Sequence, residues 1–120
     1  MKGTVDEFGR ALVTVKLRSN ENRESTEVLA WVDTAFNGEL LMPASMITAA
    51  GLQQSGGIRA RLADGSEVTL ESFGCELDWF GNLKWIEVIA NDGEMPLLGI
   101  GLLIGRKLTV DYAKMTVVIE

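Results

Sequence analysis

Short apolar runs of alternating polarity, closed at brief intervals by turn residues, recur along the chain and leave little room for anything but strands. In residues 12–17 (Leu-Val-Thr-Val-Lys-Leu), Val13, Val15 and Leu17 fall on one face and Thr14 and Lys16 on the other, the period of two that a half-buried strand requires. Ser19 to Glu24 is polar and reads as a loop. Residues 27–32 form a second strand, and the apolar run at their end predicts burial on both faces near Val32. Residues 58–62 and 67–70 flank Ala63-Asp64-Gly65-Ser66. Asp-Gly between alternating runs predicts a hairpin with a tight primed turn and positive φ at both central residues. Residues 73–79 and 83–90 flank Phe80-Gly81-Asn82, a turn of the same kind, and residues 108–112 and 115–119 pair around Ala113-Lys114. One helix is legible. Pro43 suits a first turn, residues 44–50 are fair helix formers, and Gly51 is a natural stop. Seven or so short strands with one or two short helices predict an all-β fold. The length, 120 residues, predicts a single domain over 1–120.

Composition then removes whole classes of chemistry. There is no histidine, so Ser-His-Asp and Cys-His catalysis and histidine-ligated metals are excluded. Cys75 is the one cysteine, which excludes intrachain disulfides and CxxC motifs. It alternates with Phe73 and Leu77 and reads as a buried structural thiol. No Asp-x-Asp calcium loop occurs, so no metal site and no cofactor are expected. The formal net charge of −6 opposes phosphate backbones, so nucleic acid is not an expected partner. The longest uncharged apolar stretch, from Met95 to Gly105, is shorter than a bilayer span and broken by glycines. No membrane association is expected, no signal peptide is visible, and the default compartment is the cytoplasm. Gly99, Gly101 and Gly105 loosely imitate a dinucleotide-binding loop, but the spacing is one residue too long and no useful helix follows. Trp79 and Trp85 read as packing across a hairpin rather than as ligand platforms.

The most informative segment is Trp31-Val32-Asp33-Thr34-Ala35-Phe36-Asn37-Gly38-Glu39-Leu40-Leu41-Met42-Pro43. A carboxylate directly after a buried apolar strand is costly unless hydrogen-bonded or used. The order resembles the active-site loop of retropepsin-like aspartic proteases: apolar strand, Asp33-Thr34-Ala35, apolar stretch, Pro43, and a short helix ending at Gly51-Leu52. Pro96-Leu97-Leu98-Gly99 followed by Ile100 to Leu103 resembles the family's second motif, two apolar residues and a glycine before a short helix. The resemblance runs from about Val28 to Ile119. It implies a closed β-barrel with a flap hairpin whose tip is Ala63, Asp64, Gly65 and Ser66. It also implies Asp33 as the catalytic carboxylate, Thr34 as a brace between the loops of two subunits, and Leu97, Leu98 and Gly99 packed beside the active-site loop. The expected activity is hydrolysis of a peptide or protein substrate by water activated between two aspartates.

Hydrolysis without histidine or metal needs two carboxylates, one ionised as general base and one protonated against the carbonyl. The chain holds one Asp-Thr-Ala, so a homodimer with both Asp33 residues beside a two-fold axis is expected. The run Met115-Thr116-Val117-Val118-Ile119, apolar on both faces, predicts that the chain ends contribute a free edge to that dimer. Two positions depart from the family pattern: Ala35 stands where glycine is usual, and bulky Phe36 where a small residue is usual. They motivate the alternative reading, a catalytically inactive peptide-binding or dimerisation module on the same fold. A small ligand-binding β-barrel is a third.

Overall fold

The computed structural model of the chain describes residues 1–19 and 24–120. Four residues of the loop expected between the first two strands, 20–23, lie outside the described residues. Among the described residues, ten strands and two short helices follow one another: β1 (Lys2–Val5), β2 (Ala11–Arg18), β3 (Thr26–Val32), β4 (Leu40–Pro43), α1 (Ala44–Ala50), β5 (Gln53–Arg61), β6 (Glu67–Trp79), β7 (Asn82–Asn91), β8 (Leu97–Leu98), α2 (Ile100–Leu103), β9 (Leu108–Asp111) and β10 (Thr116–Ile119). They pair in the order β5-β6-β7-β4-β8-β3-β2-β1-β10-β9, and β6 also pairs with β2. The second contact, Lys16 to Arg18 against Asp78 to Glu76, closes β2, β3, β8, β4, β7 and β6 into a ring. Closure removes edges from that part of the sheet.

The ring is filled by one face of each strand. Val13, Val15 and Leu17 of β2 are buried as their alternation predicts, against Val28, Ala30, Leu40, Met42, Cys75, Leu77, Ile86, Val88 and Leu98. Near Val32 the expectation of two buried faces is wrong. Val28, Ala30 and Val32 turn inward, while Leu29 and Trp31 are 47% and 39% exposed. The strand is one-sided, and its outer face is apolar but largely open. Ile47 and Ala50 seat α1 on the core. Gly51, at φ 69°, ends that helix in the left-handed region, as glycine at that position permits.

The two hairpin turns differ from each other. Trp79 pairs with Asn82, so Phe80-Gly81 is a two-residue loop, and both residues have positive φ, 52° and 82°. This is the expected primed turn. A phenylalanine in the left-handed region is costly; here its ring is held edge-on by Trp79 at 5.0 Å and capped by the Arg106 guanidinium at 3.7 Å. The Asp64-Gly65 turn is of another type. Gly65 alone has positive φ, 88°. Its N–H donates to Leu62 O, and Leu62 N–H to Ser66 O, which makes a three-residue loop with glycine in the left-handed place. Asp64 Oδ1 accepts from Ser66 N–H at 2.9 Å and Ser66 Oγ–H at 2.6 Å. That side-chain cap stabilises a conventional turn and makes the mirror-image one unnecessary.

The hairpin is also longer than its alternation suggests. Gln53 to Gly57, polar and glycine-rich, joins β5 and pairs with Gly74 to Glu71 across a bulge between Gln54 and Gly56. At the other end of the sheet, β10 is not an edge. It lies between β1 and β9, with the Met1 ammonium donating to Ile119 O. Val117 and Ile119 are buried inside the chain's own sheet. The expectation that the C-terminal strand is a free edge is therefore wrong: the N-terminal strand and β9 cover both its sides.

Candidate active site

The site is built by three short segments that cross each other. β3 runs parallel to β8, with Trp31 beside Leu97 and Val32 beside Leu98. β4 runs antiparallel to β8, with Leu40 beside Leu98 and Leu41 beside Leu97. The chain thus leaves β3, loops over residues 33–39, and returns on the far side of β8. Leu97 and Leu98 are the wedge between the two arms of the Asp33 loop. Leu98 is fully buried, which anchors the wedge.

The loop is pinned to this wedge through its backbone. Asp33 N–H donates to Leu98 O at 2.9 Å, Gly99 N–H to Glu39 O at 3.0 Å, Ile100 N–H to Phe36 O at 2.8 Å and Gly101 N–H to Gly38 O at 3.0 Å. Such close crossing explains the glycines. A Cβ on Gly99 would run into Gly38 O and lie 2.5 Å from the Phe36 ring and 2.6 Å from Phe36 O. A Cβ on Gly101 would sit 2.9 Å from Gly38 O. The four-residue α2 is too short to hold a dinucleotide phosphate, so these glycines serve loop crossing.

Asp33 sits half-buried at the head of the loop. Its Oδ1 accepts the Ala35 N–H at 2.9 Å, and its carbonyl accepts the Phe36 N–H at 3.2 Å. Among the described residues no other hydrogen-bond donor meets the carboxylate. One carboxylate oxygen is thereby fixed by the backbone. Thr34 and Ala35 are exposed at the loop's crest.

The two departures have physical answers. Ala35 does not adopt positive φ, so its methyl costs no backbone strain here. Phe36 is half-buried, and its ring fills the space that Gly38 and Gly99 leave by lacking Cβ atoms. The sequence signal for this was present: glycine two residues after Phe36, and again after Leu98.

Glu39 is a site residue that the sequence reading passed over. It tethers the returning arm of the loop to β7: Oε1 accepts the Glu87 N–H at 3.0 Å, and Oε2 lies 3.8 Å from Lys84 Nζ. An open groove of about 350 Å³ lies beside it, lined by Glu39, Ser55, Gly74, Trp85, Ile86 and Glu87. Asp33 does not line it. Trp85 is 54% exposed and lies over Gly74, where a Cβ would collide with the indole. Trp79 is buried in the core. Cys75 is fully buried; burial, reinforced by the negative charges of Glu39 and Glu76, pushes its thiol up to about 12. Among the described residues, no group of three or more His, Cys, Asp or Glu could hold a metal ion, and no helix is long and apolar enough to cross a membrane.

The four residues expected at a flap tip lie on a different hairpin from this crossing. Ala63 to Ser66 cap the β5–β6 hairpin, whose outer strand β5 pairs with β6 alone. Nearly every residue from Gln53 to Glu71 is exposed or half-exposed.

No protein-family model and no curated protein matches this sequence. Solved structures do. A retropepsin-like aspartic protease from Rickettsia conorii superposes with a TM-score of 0.69 at 15% identity, covering 99% of this chain and 88% of that one. EIAV protease complexed with the inhibitor HBY-793 gives 0.64 at 15% identity, covering 88% of this chain and 98% of that one. The simian foamy virus protease in solution gives 0.51 at 12% identity, over 77% and 92% of the two chains. The chain has the all-β retropepsin-like fold.

Proposed function

We propose that the protein is an aspartic endopeptidase that works as a homodimer, each subunit supplying Asp33 to one shared dyad. The observation that carries this reading is the placement of Asp33. It heads a loop fastened by four backbone hydrogen bonds to residues 98–101, in a fold held in common with aspartic proteases. A pinned backbone holds a carboxylate at a fixed angle, which is what a two-carboxylate mechanism needs.

In that mechanism the two carboxyl groups share one proton, because close like charges cannot both ionise. The ionised Asp33 takes a proton from a water held between the pair. The protonated Asp33 donates a hydrogen bond to the scissile carbonyl. Hydroxide adds to the carbonyl carbon, and a proton passes to the departing amine as the C–N bond breaks. In this reading Thr34, exposed in the loop, braces one loop against the other. In this reading the hairpin tipped by Ala63, Asp64, Gly65 and Ser66 closes over an extended peptide and excludes water. The Ala35 N–H on Asp33 Oδ1 orients the carboxylate.

The test is cleavage of an unfolded peptide pool by the purified protein and by Asp33→Asn. The amide keeps the shape and the acceptor for Ala35 N–H but cannot share a proton. Cleavage by the parent that disappears in the variant, with thermal unfolding unchanged, supports the reading. Equal cleavage by both proteins refutes it, and no cleavage by either favours a binding or dimerisation module.

A further inference from the structure

We propose that the groove beside Glu39 binds the arginine side chain of a peptide segment, stacked on Trp85 and paired with Glu87 and Glu39. The inference goes beyond the peptidase reading and does not depend on it, since Asp33 does not line this groove. Alternation along the strands places the site. Cys75 and Ile86 face each other in the β6–β7 ladder, and both are buried in the core. Their neighbours Gly74, Trp85 and Glu87 therefore project to the opposite face of the sheet. Trp85 packs across the hairpin over Gly74, where a Cβ would meet the indole. That contact seats the ring on one side, yet the residue stays 54% exposed. A tryptophan held in this way offers solvent an aromatic surface whose ordering is complete before any ligand arrives.

Charge selects the occupant. The ionisable side chains that line the groove, Glu39 and Glu87, are both carboxylates. Glu39 Oε1 accepts the Glu87 N–H at 3.0 Å, which holds that carboxylate in place. Lys84 Nζ approaches Glu39 Oε2 from the rim, but at 3.8 Å it is beyond hydrogen-bond range, so this oxygen still has room for a donor. Among the described residues, no ion pair or hydrogen bond engages the Glu87 carboxylate. The Ser55 hydroxyl is already shared with Ser72 Oγ at 3.2 Å. An exposed indole flanked by carboxylates draws a cation through the negative face of the ring and through charge together. A guanidinium suits it better than an ammonium. It is planar, so it can lie flat on the indole while its edge N–H groups fork toward the carboxylates, and it is more weakly hydrated. The groove holds about 350 Å³, the small end of ligand sites, and it is open. It admits one side chain whose main chain continues into solvent, which fits an arginine within a peptide. The formal net charge of −6 adds a general attraction for basic segments.

An NMR titration of the isotope-labelled chain tests this. The indole N–H signals of Trp31, Trp79 and Trp85 report on three separate places, and Trp85→Phe identifies the one that matters. The probe is acetyl-Gly-Gly-Arg-Gly-Gly-amide, with companions that carry citrulline, lysine or leucine in place of arginine. The arginine peptide is expected to shift the Trp85 indole and the Glu87 amide saturably and to leave Trp31 and Trp79 unmoved. Citrulline keeps the shape without the charge, and its peptide should bind at least about tenfold more weakly; the lysine peptide should fall between the two. Glu87→Gln keeps the backbone N–H on Glu39 and should weaken arginine binding at least about fivefold, as should Trp85→Leu. Lys84→Gln removes the competing cation at the rim and should tighten binding about twofold, a gain that a purely structural groove would not show. Thermal unfolding of each variant checks its fold. A citrulline or leucine peptide that binds as tightly as the arginine one, shifts confined to Trp31 or Trp79, or a Glu87→Gln chain of unchanged affinity would overturn the proposal. Magnesium or calcium chloride that saturates the Glu87 signals while the arginine peptide leaves them still would overturn it in favour of a metal. Cleavage does not enter this measurement, so its result and that of the Asp33→Asn test are read separately.

Discussion

Gly99→Ala should cost this protein more than any other single methyl added near the site. Gly99 has φ −101° and ψ 179°, ordinary for alanine, so backbone strain is not the reason. The reason is space. The new methyl meets Gly38 O and Phe36 O, which are backbone atoms of the crossing loop, and the Phe36 ring at 2.5 Å. The ring could rotate away, but the carbonyls cannot move without loosening the bonds from Gly101 and Ile100 that they accept. Overpacking a tight site costs about 1–3 kcal/mol, and each loop hydrogen bond lost adds about 1 kcal/mol. A total of about 3 kcal/mol follows. For 120 residues the unfolding entropy at the midpoint is about 0.25 kcal/mol/K, so Tm should fall by about 12 °C. The assay is thermal unfolding by circular dichroism at one fixed protein concentration, since association shifts Tm. Gly101→Ala is the comparison. Its Cβ would sit 2.9 Å from Gly38 O and 3.0 Å from the flexible Glu39 Cγ, and alanine gains about 1 kcal/mol over glycine in a helix. Its loss should be less than half as large. A Gly99→Ala protein melting within about 2 °C of the parent would refute the crossing-loop argument. Phe36→Ala should not rescue Gly99→Ala, because the carbonyls remain.

Other outcomes follow from the same structure. Cys75, with its thiol pushed up to about 12 by burial, should resist an alkylating reagent at about pH 8 in the native protein and react fully once denatured; rapid native labelling would contradict its burial. The Ser66 hydroxyl, with the Ser66 N–H, holds the Asp64 carboxyl below the usual carboxylate range. A depressed value in the folded state means the turn's stabilisation is complete above the ordinary carboxylate value of about 4 and is lost as pH falls through the folded one. A carbon-detected NMR titration should give Asp64 a midpoint below that of aspartate in an unstructured peptide, and a midpoint at or above it would contradict the capped turn. Amides in residues 58–71 should exchange faster than those of β2 and β3, because β5 has one neighbour and little buried apolar surface; equal protection would argue against a mobile flap.

Local pattern made much of this architecture legible. The alternation of Val13, Val15 and Leu17 set the inward face of β2. Phe80-Gly81 set a primed turn, and Asp33 stood out as a carboxylate at the end of an apolar strand. What escaped detection depends on partners distant in the chain. Gln53 to Gly57 has the composition of a loop and becomes strand only because Gly74 to Glu71 lie beside it. The apolar run around Val32 predicts two buried faces, yet the outer face that carries Leu29 and Trp31 stays largely open. The C-terminal strand looked like a free edge because β1, at the opposite end of the sequence, gives no local sign of pairing with it. At the site, Asp33, Leu97, Leu98 and Gly99 were readable as motifs. Gly38, Gly101 and Glu39 were not, because their roles are set by the crossing of two loops. Phe36 looked like a flaw in isolation and fits once the glycines around its ring are seen.

The central claim is that each catalytic centre takes one Asp33 from each of two chains. Mixing the parent with Asp33→Asn at constant total protein, after exchange of subunits, reads this directly in the rate of peptide cleavage. If two parent chains are required, activity falls as the square of the parent fraction, to about one quarter in an equal mixture of freely exchanging dimers. A linear fall, to about one half of the parent rate at that same mixture, would show that a single chain carries the whole reaction and would contradict the shared dyad.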